Sequence, residues 1–94
     1  MARELIFIFC YDISCSRRRA KVSDVLEQAG TRVQFSVFEV RMTRKKATAL
    51  LDRLGRIREN SDSVRMYCLT EQGRKFSDAR GGAPIPEAQE FWLL

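Results

Sequence analysis

Within ten residues near the start of the chain stand one acid and four cations: Asp12, then Arg17, Arg18, Arg19 and Lys21. A carboxylate is a hard oxygen ligand suited to Mg²⁺, and guanidinium groups match phosphate oxygens as planar forks. One carboxylate cannot hold Mg²⁺ unaided, because the ion wants an octahedron of oxygens and takes one or two carboxylates with water and substrate phosphate. In a homodimer whose two-fold axis passes near Asp12, two copies of that residue would share one Mg²⁺ and a phosphodiester, a minimal set for metal-assisted hydrolysis. The plainer alternative is that Asp12 forms a turn, its side chain bonding nearby backbone N–H groups.

The cations raise a different point. Arg17, Arg18, Arg19 and Lys21 fall at the start of a helix, the positive end of its dipole, where each costs some tenths of a kcal/mol. Exposed N–H groups and guanidinium forks at one helix start make a phosphate-binding site. The competing reading is a solvated basic face with one arginine paired to Asp12 or Glu39. A second basic surface is expected on a later helix carrying Arg44, Lys45, Lys46, Arg53, Arg56 and Arg58. No glycine-aromatic motif of the kind that stacks single-stranded RNA occupies Val64 to Leu69. Backbone and shape recognition of a duplex is therefore expected over sequence readout.

These residues need elements to position them. Leu5 to Tyr11 is a continuous apolar run, typical of a strand buried on both faces, and Asp12 ends it. Ser14 and Ser16 offer N-cap hydroxyls to a helix over Arg17 to Ala29, whose apolar stripe is Val22, Val25, Leu26 and Ala29 and whose stop is Gly30. Thr31 to Met42 reads as strand, with Val33, Phe35 and Val37 on one face and a break expected near Ser36. Thr43 is placed to cap the second helix, with core positions Ala47, Leu50, Leu51, Leu54 and Ile57. Asn60 to Ser63 is turn composition, and Val64 to Leu69 is a strand with Val64, Met66 and Cys68 on one side.

A weaker strand is expected in Arg74 to Ala79, then a stiff Gly-Pro connection to Phe91, Trp92, Leu93 and Leu94. The last four residues suit a sheet edge of a partner copy or another protein. The order predicts an α+β, ferredoxin-like β-α-β-β-α-β fold with an extra C-terminal strand, over residues 1–80, followed by an extension over 81–94. Two helices cover one face of such a sheet. The apolar second face of the first strand therefore predicts a second copy against it.

Composition bounds the rest. The 94 residues are 45% hydrophobic and 31% charged, enough for one core, and no run approaches the roughly 20 apolar residues of a membrane span. Lys and Arg outnumber Asp and Glu by 17 to 12, which favours polyanionic partners. Three scattered cysteines, Cys10, Cys15 and Cys68, and no histidine exclude a zinc site of ordinary spacing and read as free thiols. With no secretory leader in the opening residues, the cytoplasm is the expected compartment.

The motif chain Tyr11-Asp12-Ile13, Arg17-Arg18-Arg19-x-Lys21-Val22, Gly30-x-Arg32-Val33-Gln34-x-Ser36-Val37-Phe38-Glu39 and Val64-Arg65-Met66-Tyr67-x-Leu69 resembles the family of CRISPR-associated protein two, over about residues 4 to 70. The resemblance implies a ferredoxin-like homodimer that binds double-stranded DNA and bridges subunits of the CRISPR integrase during spacer acquisition. It also implies a second activity described in the family, a metal-dependent endonuclease on RNA or DNA with Mg²⁺ held by Asp12 of both protomers. On this carry-over Asp12 is the catalytic and metal residue, and Arg17, Arg18, Arg19, Lys21 and Arg32 bind nucleic acid. The loop Ser14-Cys15-Ser16 is neutral where relatives often carry acids, and fewer carboxylates mean weaker metal binding. Two rival readings are a toxin ribonuclease of the VapD-like ferredoxin fold and a dimerisation or small-ligand regulatory domain.

Overall fold

A computed structural model describes residues 3–69 and 76–83. Seven elements follow in order: β1 (Glu4–Asp12), α1 (Ser16–Ala29), β2 (Thr31–Gln34), β3 (Val37–Thr43), α2 (Arg44–Ile57), β4 (Ser63–Cys68) and β5 (Asp78–Arg80). The strands form one antiparallel sheet in the order β2-β3-β1-β4-β5. The first four strands and two helices make the expected ferredoxin-like arrangement. The added edge strand β5 overlaps the end of the weak segment Arg74 to Ala79 and runs one residue past it. The proposed final strand, Phe91–Leu94, lies outside the described residues.

The apolar run places β1 at the centre of the sheet, where it pairs with β3 on one side and β4 on the other. Its alternate residues Phe7, Phe9 and Tyr11 point to the helices and are buried with Phe38, Val40, Val64, Met66 and Cys68 from the flanking strands. Val22 and Leu26 of α1 and Ala47, Leu51 and Leu54 of α2 complete this core, each large side chain contributing roughly 1.5–3 kcal/mol by leaving water. Ile6, Ile8 and Cys10 occupy the other face of β1 and are half-buried, against Val37 of β3 and Arg65 and Tyr67 of β4. Among the described residues that face carries no helix.

Local signals were mostly sufficient. The hydroxyl of Thr43 accepts the N–H of Lys46 at 3.2 Å and starts α2. The long strand breaks at residues 35–36, and a register shift between Arg32 and Gln34 follows. This break corrects the expectation that Val33, Phe35 and Val37 share one face: Val33 is 49% exposed on edge strand β2 and Phe35 is 71% exposed in the turn. The cap of α1 also differs. Cys15 occupies the cap position with no side-chain bond to the first turn, and Ser16 is already helical. Gly30 ends α1 as expected, for a steric reason: a Cβ there would lie 2.3 Å from the Glu39 carbonyl oxygen and 2.7 Å from Val40.

Candidate nucleic-acid interface

Asp12 closes β1 opposite Ser63 of β4, one residue beyond the buried Tyr11 and so on the sheet face without helices. It is exposed, and its carboxylate makes no hydrogen bond or ion pair among the described residues. The turn-forming role open to an aspartate at a strand end is therefore not taken up. Among the described residues no group of three or more His, Cys, Asp or Glu is positioned to hold a metal. Among the described residues Asp12 supplies one carboxylate, and Mg²⁺ takes several oxygens in near-octahedral array. An outward carboxylate on an uncovered face fits only half of such a site.

The basic run is divided by the fold. Arg18 turns inward: its Nε donates to Asp62 Oδ2 at 2.7 Å, and its Nη1 lies 3.7 Å from Glu59. Asp62 is 2% exposed and also accepts the Glu59 N–H at 3.0 Å. The Arg18 guanidinium, then the Glu59 N–H and more weakly the Ser14 N–H, hold the Asp62 carboxyl below the usual carboxylate range despite burial. The same hydrogen bond raises Arg18 further above neutrality. Arg58 Nη1 donates to the carbonyls of Asn60 and Asp62 at 3.4 and 3.3 Å. Gly81, at φ +81°, passes so close that a Cβ would meet the Asp62 carbonyl at 2.3 Å. Arg18 thereby fastens the start of α1 to the loop between α2 and β4.

Arg19 is held instead by the loop between β1 and α1. Its Nη1 donates to the carbonyls of Ile13 and Ser14 at 2.9 and 3.4 Å, and its guanidinium carbon is 5.7 Å from the Phe35 ring centre. Arg32 donates to the Phe35 carbonyl and the Ser23 hydroxyl and stacks 4.8 Å over Phe38. Arg17 and Lys21 are exposed, one turn apart on α1, and neither has a polar partner among the described residues. The first turn of α1 contains no acid, so these cations and the helix dipole add to one positive field.

The competing reading of the basic run paired one arginine with Asp12 or Glu39. The structure pairs Arg18 with Asp62, which had read only as turn composition. No local pattern signals a partner 44 residues away. Phe35 was also missed as a surface group, because alternation assigned it to a strand face.

On α2, Arg44, Lys45, Lys46, Arg53 and Arg56 are exposed as expected, forming a second basic surface. Arg44 covers the Phe76 ring at 4.5 Å, and Arg80 bridges Asp52 and Asp78, each at 2.9 Å. The three cysteines are free thiols. The N–H groups of Arg18 and Arg17 lower the Cys15 thiol below its ordinary range, whereas burial raises Cys10 against the opposing charge of Arg65. No helix among the described residues is long and apolar enough to cross a membrane.

Comparison with known proteins agrees with this architecture. The profile of the family described as CRISPR associated protein Cas2 matches residues 5–75. The chain is 37% identical to a CRISPR-associated endoribonuclease Cas2 of Synechocystis, over 94% of this chain and 97% of that protein. It is likewise 37% identical to a CRISPR-associated endoribonuclease Cas2 of Thermus thermophilus, over 95% and 98%. Among solved structures, a hypothetical protein from Thermus thermophilus superposes with TM-score 0.66 and 31% identity, over 71% of this chain and 83% of the other. A chain of a partial Cas6-RT-Cas1–Cas2 complex superposes with TM-score 0.61 and 32% identity, over 89% and 99%.

Proposed function

The chain belongs to the CRISPR associated protein Cas2 family, and on that premise we propose that it acts as a homodimeric, nucleic-acid-binding scaffold that bridges integrase subunits during spacer acquisition. The observation that carries this reading is the outer surface of α1, where Arg17 and Lys21 stand exposed, with no polar partner among the described residues, at the positive end of the helix beside the anchored Arg19. Such an arrangement suits the phosphates of a duplex, whose affinity is mainly electrostatic. The sheet face on which Ile6, Ile8 and Cys10 are half-buried, bare of helix among the described residues, supports a second copy as its cover. Similarity to a chain of a Cas1–Cas2 complex supports an integrase partner. Within the basic run Arg18 serves the fold, and contact with phosphate falls to Arg17, Arg19, Lys21 and Arg32.

The test is a folded Arg17→Ala/Lys21→Ala variant assayed for duplex retardation and for spacer acquisition in cells. Both are expected to fall. Unchanged values for both would end the scaffold reading.

A second reading, a metal-dependent endonuclease, is favoured by the exposed carboxylate of Asp12, without a partner among the described residues, and by the name endoribonuclease carried by the relatives. Asp12 of two protomers would then hold Mg²⁺, which when bound supplies charge stabilisation and an activated water. The chain's own part is to hold Asp12 rigidly at the end of the central strand. Asp12→Ala is expected to abolish cleavage while leaving duplex binding intact. Cleavage at the parental rate would exclude the enzyme reading.

A further inference from the structure

A groove of about 570 Å³ runs along the outer surface of α2, lined by Arg44, Lys45, Thr48, Ala49 and Asp52. Small side chains make its floor: Ala49, which is exposed, and Thr48, which is half-buried. Lys45 and Arg53 stand one turn before and one turn after Ala49, about 12 Å apart along the helix axis, so the alanine is a notch between two cations. The wall towards β5 is fixed. Arg44 lies 4.5 Å over the Phe76 ring, and Asp52 Oδ1 accepts from Arg80 at 2.9 Å, so little ordering remains to be done when the groove is filled.

The charges of this face, by contrast, are left open. Lys45, Lys46, Arg53 and Arg56 are exposed and have no ion pair among the described residues, and the one acid of α2, Asp52, is already matched by Arg80. The first turn holds Arg44, Lys45 and Lys46 and no acid, at the positive end of the helix where cations are least favoured. The result is a surface that attracts anions and has an apolar recess one side chain wide at its centre.

Shape decides which kind of anion fits. A duplex rests its phosphates on protruding cations and has no group to enter such a recess, and Asp52 beside the groove opposes it. A second copy of this chain, related by a two-fold axis, would bring Lys45 and Arg53 against the same cations. An α-helix satisfies both features, because side chains four residues apart share one face: an apolar residue enters the notch while acids one turn to either side reach Lys45 and Arg53.

We propose that α2 is a docking surface for an acidic amphipathic helix of a protein partner, whose apolar residue packs on Ala49 and whose flanking acids, at four-residue spacing, pair with Lys45 and Arg53. This inference goes beyond the duplex reading, which rests on α1, and is independent of it.

The test uses a fluorescein-labelled helical peptide of alanine and glutamine carrying one Glu-x-x-x-Leu-x-x-x-Glu stripe, and a control of the same composition with its leucine on the opposite face. Anisotropy is read on the full-length protein at low salt. The parent is expected to bind the stripe peptide roughly tenfold more tightly than the control, the effect of burying one leucine. Ala49→Lys adds a cation but fills the notch, so it should lose that preference. Lys45→Ala/Arg53→Ala should weaken the stripe peptide by about fivefold, the sum of two exposed ion pairs. All three positions are exposed, so each variant should keep the parental unfolding temperature. Equal binding of the two peptides by the parent overturns the proposal, as does tighter binding of both by Ala49→Lys, which leaves charge attraction alone. Failure of the stripe peptide to bind overturns it too; if Lys45→Ala/Arg53→Ala then lowers duplex affinity, the face belongs to nucleic acid.

Discussion

Arg17 and Arg18 are neighbours in the chain and opposites in the fold. Arg18 disappears into a clasp with Asp62 and Glu59, where a buried carboxylate receives a guanidinium and a backbone N–H. Arg17 faces water with Lys21 one turn on. The helix rotates successive side chains by 100°, which is enough to direct one guanidinium to the α2–β4 loop and the next to solvent. A basic run on a helix is thus two regions, one that builds the site and one that is the site.

Removing the clasp should have the largest effect. Arg18→Ala or Asp62→Ala leaves the other partner's charge without its counterpart, and thermal unfolding is expected several degrees below the parent for either. The double variant should lose less than the sum, because both delete one interaction. Additive losses would dissolve the clasp as a unit.

The outer pair should behave the other way. Arg17→Ala/Lys21→Ala is expected to leave the unfolding temperature unchanged, while duplex affinity falls by about an order of magnitude and the salt slope drops by about two. A shift in unfolding temperature with an unchanged salt slope would erase the contrast between the regions.

A smaller effect sharpens it by pH. Asp62 is depressed in the fold, so its contribution is fully present above the unfolded carboxyl pKa of about 3.9 and is lost as pH falls through the lower folded value. Asp62→Asn should therefore be less stable than the parent at neutral pH, with the gap closing under acid conditions. A constant gap across that window would assign the loss to shape instead of charge.

The smallest expected difference is chemical. The first-turn N–H groups that favour an anion beside Arg17 also lower the Cys15 thiol, while Cys10 is raised by burial. Iodoacetamide at neutral pH is expected to label Cys15 before Cys10, read by peptide mass. The reverse order would remove Cys15 from the positive field of the helix start.

Much of the fold was legible because its causes are local. The apolar run of β1, the stripe Ala47, Leu51 and Leu54, the Thr43 cap and the break near Ser36 each follow from a few adjacent residues. The candidate site was legible as residue types. It was misread in two places: Phe35, where the chain turns between β2 and β3 instead of continuing as strand, and Asp62, where the partner is remote in the chain. The C-terminal residues Phe91–Leu94 lie outside the described structure, so their expected strand adds nothing to either account.

By itself, then, the sequence determined the order of strands and helices, the composition of the core and the concentration of positive charge at one helix start, all consequences of periodicity and of side chains near in the chain. Tertiary structure alone decided which of those charges remain available. That choice depends on a carboxylate delivered by a distant loop, and only packing brings it within 2.7 Å of Arg18 while leaving Arg17, Lys21 and Phe35 in water.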